Sequence, residues 1–415
     1  MMARAGSIYP QVDPGASGLA HRAFVRCDSA EPVNSALRLA ARRRARLLVL
    51  PEGRTQGVAF PGVLRRAAAL GLGEHPVGSF TVWGVPALSG EVSEVEVRRR
   101  LLKGAPAVLV RERGETVGVI EPSGLGRPAP SPSLLSRLER QITAPVIEFL
   151  RAAGTLGASL GIPVFLVGGF VRDLMLERQS LDLDLVAEGD GTLLARRLAR
   201  RIKGRLSLYS SFGTAMLRGG PAGVVDVATA RRERYPAPGA LPVVSRASIL
   251  EDLRRRDFTV NAMAIALAPS SFGALLDPVG GLNDLSRRRV RVLHPLSFIE
   301  DPTRLFRAIR YAVRLGFGLD RNSRRWLRVA LQTGPYPALS GQRLMAELKL
   351  IAREPRPAET LIALGRLGAF RLLEPSYRFA PIAALRLRDS AELVRWAAER
   401  RLAIADLSLQ LLALV

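Results

Sequence analysis

Val164-Phe165-Leu166-Val167-Gly168-Gly169-Phe170-Val171-Arg172-Asp173-Leu174-Met175-Leu176, followed shortly by Asp182-Leu183-Asp184-Leu185, decides how the rest of this chain reads. The β-branched and aromatic run Val164 to Val167 predicts a strand, the glycine pair a turn, and the segment from Val171 a helix. Such a turn cradles an anion: glycines let the backbone approach closely, helix N–H groups face the charge, and Arg172 adds a cation. A plain strand-to-helix turn is the bland alternative. In a strand, residues two apart share a face, so Asp182 and Asp184 would present paired carboxylates while Leu181, Leu183 and Leu185 face a core. Hard divalent ions such as Mg²⁺ take oxygen ligands, and a metal pair activates an attacking hydroxyl while stabilising a leaving phosphate. Asp226, in the apolar run Val224-Val225-Asp226-Val227, is the candidate third carboxylate, on a strand expected beside the first.

The surrounding composition narrows the partners. The 415 residues allow two to four domains, and 48% hydrophobic with 24% charged residues is ordinary for globular protein. The charge is not ordinary: 61 Lys and Arg against 37 Asp and Glu leave a net +24, which points to nucleic acid ahead of an anionic membrane. One cysteine and three histidines exclude an internal disulfide and a Cys/His zinc cluster, so metal chemistry must use carboxylates. No apolar run reaches the roughly 18 residues a spanning helix needs, and the start lacks a signal-type apolar region, so a soluble, cytoplasmic protein is expected. With only 6% aromatics, an amphipathic membrane anchor is disfavoured.

N-terminal to the glycine turn, Gly57-Val58-Ala59-Phe60-Pro61-Gly62-Val63-Leu64 is echoed 61 residues later by Gly118-Val119-Ile120-Glu121-Pro122-Ser123-Gly124-Leu125. Each copy follows a β-rich run (Leu47 to Leu50, Val108 to Val110) across a turn holding Gly53 or Gly114, and helical stretches precede both. Two such half-domains, over residues 22–126, resemble a tandem CBS pair, a module that commonly binds adenine nucleotides. A duplicated α/β scaffold that binds nothing is the competing reading. Three prolines within 126–133 mark a linker, expected at 127–144, and Leu134 to Leu156 reads as one amphipathic helix.

From about residue 145 to 350 the motifs LVGGFVRDLML with DLD, SSFGTAML, VDVATARRERY, EDLRRRDFTVNAMA, DPVGGLNDL, EDPTRLFRAIRYAVRLGF and Gln342-Arg343 with Glu347 follow one another. In that order they resemble the bacterial-type (class II) CCA-adding tRNA nucleotidyltransferase and poly(A) polymerase family of the polymerase-β superfamily. The resemblance implies an α+β nucleotidyltransferase head at 145–285, a helical neck at 286–350 and an all-α body at 351–415, after the α/β CBS-like pair. It also implies Mg²⁺ at Asp182 and Asp184, a triphosphate grip at Gly168, Gly169 and Arg172, and a ribose and phosphate wall of Arg255, Arg256, Asp257 and Asn261.

Asp301 and Arg304, three apart on a helix, would together read the Watson–Crick edge of an incoming base, as this family does without a nucleic-acid template. Asp301 before Pro302 is equally an N-cap. Residues 287–328 hold twelve arginines against three acids, and Arg304, Arg307, Arg310 and Arg314 form a helical stripe, expected to serve in part as an RNA-phosphate track. The chain stops on an apolar segment, Leu409 to Val415, so a truncated or short body is expected.

The reaction implied is attack of a tRNA 3′-hydroxyl on the α-phosphate of ATP, with CTP as a second candidate substrate. Terminal A addition is favoured over complete CCA addition. Ser210 to Ala215 lacks the paired basic residues and His-Val typical of poly(A) polymerases, and the loop from Arg231 to Val244 is fuller than in CC-adding enzymes. A non-catalytic RNA-binding protein with an adenylate-sensing CBS module is the alternative from another class; Asp182 and Asp184 argue against it.

Overall fold

The computed structural model describes residues 15–122, 133–402, 410, 411, 413 and 414, apart from 54, 181 and 210–212. These fall into two compact units, one reaching to residue 64 and resuming at 76–122, the other taking 65–75 and the chain from 133 onward. Residues 127–132 of the expected linker, Ser210 to Phe212, and Leu409, Leu412 and Val415 of the apolar C-terminal segment lie outside the described residues.

The repeat is built into the first unit. In one copy the strand Phe24–Arg26 leads through the helix Val33–Arg42 to the strands Leu47–Glu52 and Thr55–Ala59; in the other Ala87–Ser89 leads through Glu94–Leu102 to Val108–Glu112 and Glu115–Ile120. In both, the first strand pairs parallel with the second and the second antiparallel with the third. Gly53 and Gly114 turn the two hairpins at φ +55° and +84°, where a side chain would be strained. Leu47, Val49 and Val58 of the first copy and Ala107, Leu109 and Val119 of the second are buried in one cluster, so each half completes its core with the other.

The second unit opens with two helices, Leu135–Gln141 and Ala144–Ser159, where the sequence predicts one. Pro145 explains the break: it lacks the N–H that a helix interior needs and is tolerated only in the first turn. The centre of this unit is a seven-stranded sheet in the order Arg205–Tyr209, Thr214–Arg218, Val224–Thr229, Leu183–Ala187, Val164–Val167, Ala264–Ala266, Leu275–Leu276. Alternation gives it two different faces. Leu183, Leu185, Ala215, Leu217, Val225 and Val227 are buried on one side, where the helix Gly191–Ile202 packs. Asp184, Met216 and Asp226 stand on the other.

Beyond the sheet the chain is mainly helical, with Thr303–Leu315, Arg321–Thr333, Gly341–Ala352, Pro357–Leu367 and Pro381–Glu399 in succession. Among the described residues no helix is long and apolar enough to cross a membrane.

Candidate active site

Two of the three candidate carboxylates meet in register. The strands Leu183–Ala187 and Val224–Thr229 run parallel with Asp184 opposite Asp226, and Val167, the last residue before the glycine turn, is opposite Asp184 on its other side. Asp182 stands exposed one residue before its strand begins. Burial first, then the negative charge of Asp182 and Asp226, pushes the Asp184 carboxyl up to about 6, with Arg256 partly opposing. Burial and Asp182 likewise raise Asp226. A cleft of about 390 Å³ opens over this row, walled by Val167, Met216, Thr214 and Arg256 among others.

The donor set, carboxylate oxygens whose mutual repulsion a cation relieves, suits a hard divalent metal. Among the described residues no group of three or more His, Cys, Asp or Glu side chains forms a ready-made cage.

The raised carboxyl has a consequence for the metal-free protein. Asp184 binds its proton more tightly folded than unfolded, so its contribution favours folding below the unfolded value near 4 and fades as pH rises through about 6. Asp184→Asn is therefore expected to stabilise the metal-free protein at pH 7 by about 1–3 kcal/mol and to change little near pH 4. Thermal melts of both proteins in chelator across that range check this; equal melting temperatures at pH 7 would mean that the Asp184 carboxyl is not raised in the folded protein.

Gly168 turns the chain at φ +77° and ψ −136°, as the sequence expects. A Cβ there would stand 3.2 Å from both Asp184 Oδ2 and Arg256 Nη1, so the glycine leaves room between the carboxylate and a cation. Arg256 is held in this place from behind. The helix Ile249–Arg254 is started by a Ser248/Glu251 capping box, and its Asp252, fully buried, accepts from Arg256 Nη2 at 3.1 Å and Nε at 3.3 Å. The same carboxylate accepts from Arg255 Nη2 at 2.7 Å and from the Arg231 backbone N–H at 3.1 Å. Sequence reasoning missed Asp252. Its signal was an acid three and four residues before two arginines, the spacing that joins side chains on a helix.

Other expected contacts are placed differently. Arg172 is 3% exposed, bidentate to Asp173 (3.0 and 2.8 Å), and donates to Asn261 Oδ1 at 2.7 Å. Asn261 donates in turn to Asp257, which also accepts from Arg307. Burial pushes Asp257 up, but Arg307 and Asn261 outweigh it and hold the carboxyl below its usual range. Arg172, Asp257 and Asn261 thus form a closed buried network behind the glycine turn, and Arg256 is the cation facing the cleft. Gly169 backs onto Arg172, a Cβ there falling 3.5 Å from Nη2.

Asp301 and Arg304 are neighbours, with Nε and Oδ2 3.8 Å apart, and both are buried. Asp301 Oδ1 accepts from the Thr303 N–H (3.1 Å), the Thr303 hydroxyl (2.6 Å) and Arg343 Nη2 (2.8 Å), so it caps the helix entry and takes a clamp from the Gln-Arg-x3-Glu element. Arg304 donates to Ser297, the Arg255 carbonyl and Tyr235 at 2.8, 3.1 and 3.2 Å. With Arg255, Glu233 and Tyr235 it lines a second cavity of about 200 Å³.

The stripe below it is partly covered by acids, and its last member, Arg314, stays exposed. Arg307 pairs with Asp257 and lies 3.9 Å from Glu347, Arg310 pairs with Glu354 at 3.1 Å and Glu347 at 3.6 Å, and Arg314 lies 3.7 Å from Glu354. Glu347 and Glu354 come from the Gly341–Ala352 helix and just past its end, and draw the buried Arg310 and the half-buried Arg307 into ion pairs.

A row of carboxylates on a sheet, flanked by a glycine turn and a helical extension, defines a polymerase-β-type nucleotidyltransferase head. Residues 164–291 match the family model described as the poly A polymerase head domain. An A-adding tRNA nucleotidyltransferase of Geobacter sulfurreducens is 42% identical over 259 residues, covering 62% of this chain and 29% of that one. A CC-adding tRNA nucleotidyltransferase of Deinococcus radiodurans is 40% identical over 220 residues, covering 50% and 54%. A solved apo structure of a CCA-adding enzyme superposes with a TM-score of 0.65 at 33% identity, covering 69% of this chain and 68% of that one. The chain belongs to the tRNA nucleotidyltransferase and poly(A) polymerase family, while spanning 29% and 54% of the lengths of the two curated relatives.

Proposed function

We propose that this chain is a template-independent tRNA nucleotidyltransferase that transfers AMP from ATP to the tRNA 3′ end, completing the CCA terminus in the cytoplasm. The observation that carries the reading is the register of Asp184 with Asp226 beside Gly168 and Arg256. The 3′-hydroxyl oxygen attacks the α-phosphorus of ATP, a phosphodiester forms, and pyrophosphate leaves. Asp182 and Asp184 would hold Mg²⁺, with Asp226 beside them. When bound, such an ion supplies activation of the hydroxyl and charge neutralisation at the phosphate.

The chain's own residues do the rest. Gly168 and Gly169 let the triphosphate approach the backbone, Arg256 meets its charge, and the network of Arg172, Asp257 and Asn261 fixes the turn. Arg255 and Arg304 wall the second cavity, where Arg304, beside Asp301 Oδ2, would take the base-reading role. Addition of A rather than C is supported by the A-adding relative, and the hairpin of Arg231–Arg234 with Val243–Arg246 is consistent with the fuller loop. An adenine nucleotide at the N-terminal repeated unit belongs to the same proposal and rests on the CBS-like resemblance alone.

The test supplies Mg²⁺, labelled ATP or CTP, and tRNA transcripts ending before CCA, after C and after CC. Addition of A to the CC-ending transcript alone is expected. Completion on all three transcripts would make CTP a substrate as well, long tails would make the chain a poly(A) polymerase, and no transfer would overturn the proposal.

A further inference from the structure

The open face of the sheet carries an unpaired cation pair that the site above does not use. The register runs unbroken from Ser207 through Met216 and Asp226 to Asp184. Two residues along, on the same face, the next row places Arg205 opposite Arg218 and Arg218 opposite Val224. Both arginines are exposed, and neither makes an ion pair with any described residue. Arg218 Nε instead lies 3.3 Å from Met216 Sδ, leaning toward the row that holds Asp226. Like charges directly opposite each other on a sheet destabilise it, and no acid among the described residues offsets this pair.

The geometry points to Arg205 and Arg218 as a clamp for the phosphodiester backbone of the RNA 3′ end, delivering its hydroxyl to the carboxylate row. This rests on the nucleotidyltransferase reading and adds to it the path of the RNA strand. Gly168 and Arg256 lie on the Val167 flank of Asp184, and Arg205 and Arg218 lie beyond Asp226 on the opposite flank. In-line transfer requires the attacking and leaving oxygens on opposite sides of the phosphorus, so with the triphosphate at the glycine turn the RNA enters from the Arg218 side. Arg218 is one strand and two residues from Asp226, about 8 Å by strand geometry, close to one nucleotide step. A polyanion supplies what the fold withholds from both cations.

The test compares Arg205→Ala/Arg218→Ala with Arg196→Ala/Arg200→Ala. The second pair removes the same charge from exposed positions of the Gly191–Ile202 helix, on the other side of the sheet. RNA binding is titrated against salt without nucleotide, and KM values are measured for tRNA and ATP. The clamp variant is expected to flatten the log–log salt slope by about 1.4, to weaken RNA binding and raise the KM for tRNA about tenfold, and to leave the KM for ATP within about twofold. The helix variant is expected to keep the wild-type slope. An unchanged slope in the clamp variant, or an equal loss in the helix variant, would overturn the inference. If the unaltered protein transfers no nucleotide, the functional proposal fails by itself, and the binding slopes still decide the clamp.

Discussion

Asp184→Ala is expected to lower nucleotide transfer about a thousandfold, roughly 4 kcal/mol in the barrier, while tRNA affinity stays within about threefold of the unaltered protein. The asymmetry follows from where the residue sits. Asp184 lies at the centre of the in-register row, between Val167 and Asp226, and shares its field with Asp182 and Arg256. A cation site loses its central oxygen donor in the variant, whereas RNA phosphate loses only a repulsive neighbour. Asp184→Asn keeps the shape and removes the charge, so it is expected to be equally inactive; partial activity there would place the role in packing. Single-turnover transfer at saturating ATP, paired with an RNA-binding titration, separates the two effects. Near-normal transfer by Asp184→Ala would remove this residue from the reaction.

The parts legible in the sequence are those where local pattern and chemistry coincide. Val-Val-Asp-Val alternates apolar with acid, so Asp226 had to face away from the core, and the structure pairs it with Asp184. Gly53, Gly114 and Gly168 lie at turns because only a residue without a side chain adopts their φ cheaply. The arginine stripe shows what pattern leaves open. A period of three to four residues defines a face of the Thr303–Leu315 helix, but a solvated basic face and one covered by acids have the same period. The partners that settle it, Glu347 and Glu354, lie about 40 residues away and are seven apart, spaced for one helix face but unremarkable as a motif. Arg172 misleads for a related reason: a cation beside a glycine turn suits an anion, yet its immediate neighbour Asp173 takes both ends of the guanidinium. Arg256, which does face the cleft, reaches it only because a helix from a later motif packs beside the turn.

That helix makes Asp252→Ala the second large effect, in stability as well as activity. Asp252 is fully buried, and its two oxygens accept from Arg255, Arg256 and the Arg231 backbone. Burial alone would raise its carboxyl, but Arg256 and Arg255 outweigh it and hold the group below its usual range. Removing the carboxylate leaves an unsatisfied backbone donor and two cations, of which Arg255 keeps an ion pair with Glu233 at 2.8 Å and Arg256 keeps only the nearby charge of Asp184. Breaking a buried pair from one side costs about 3–5 kcal/mol, and the half-buried arginines place this case near the lower end, at about 3 kcal/mol. Because the folded carboxyl is depressed, its contribution is complete above the unfolded value near 4 and is lost as pH falls below it. The difference between variant and parent is therefore expected to be constant from about pH 5 upward and to shrink in stronger acid. Urea unfolding at several pH values reads the stability, and the KM for ATP, expected to rise about tenfold, reads the loss of the fixed Arg256. Asp252→Asn, which keeps an acceptor for Arg231 but no charge, is expected to recover part of the stability and little of the nucleotide affinity. A wild-type unfolding midpoint in Asp252→Ala would mean that the buried carboxylate does not stabilise the fold, and an unchanged KM would mean that Arg256 does not meet the nucleotide.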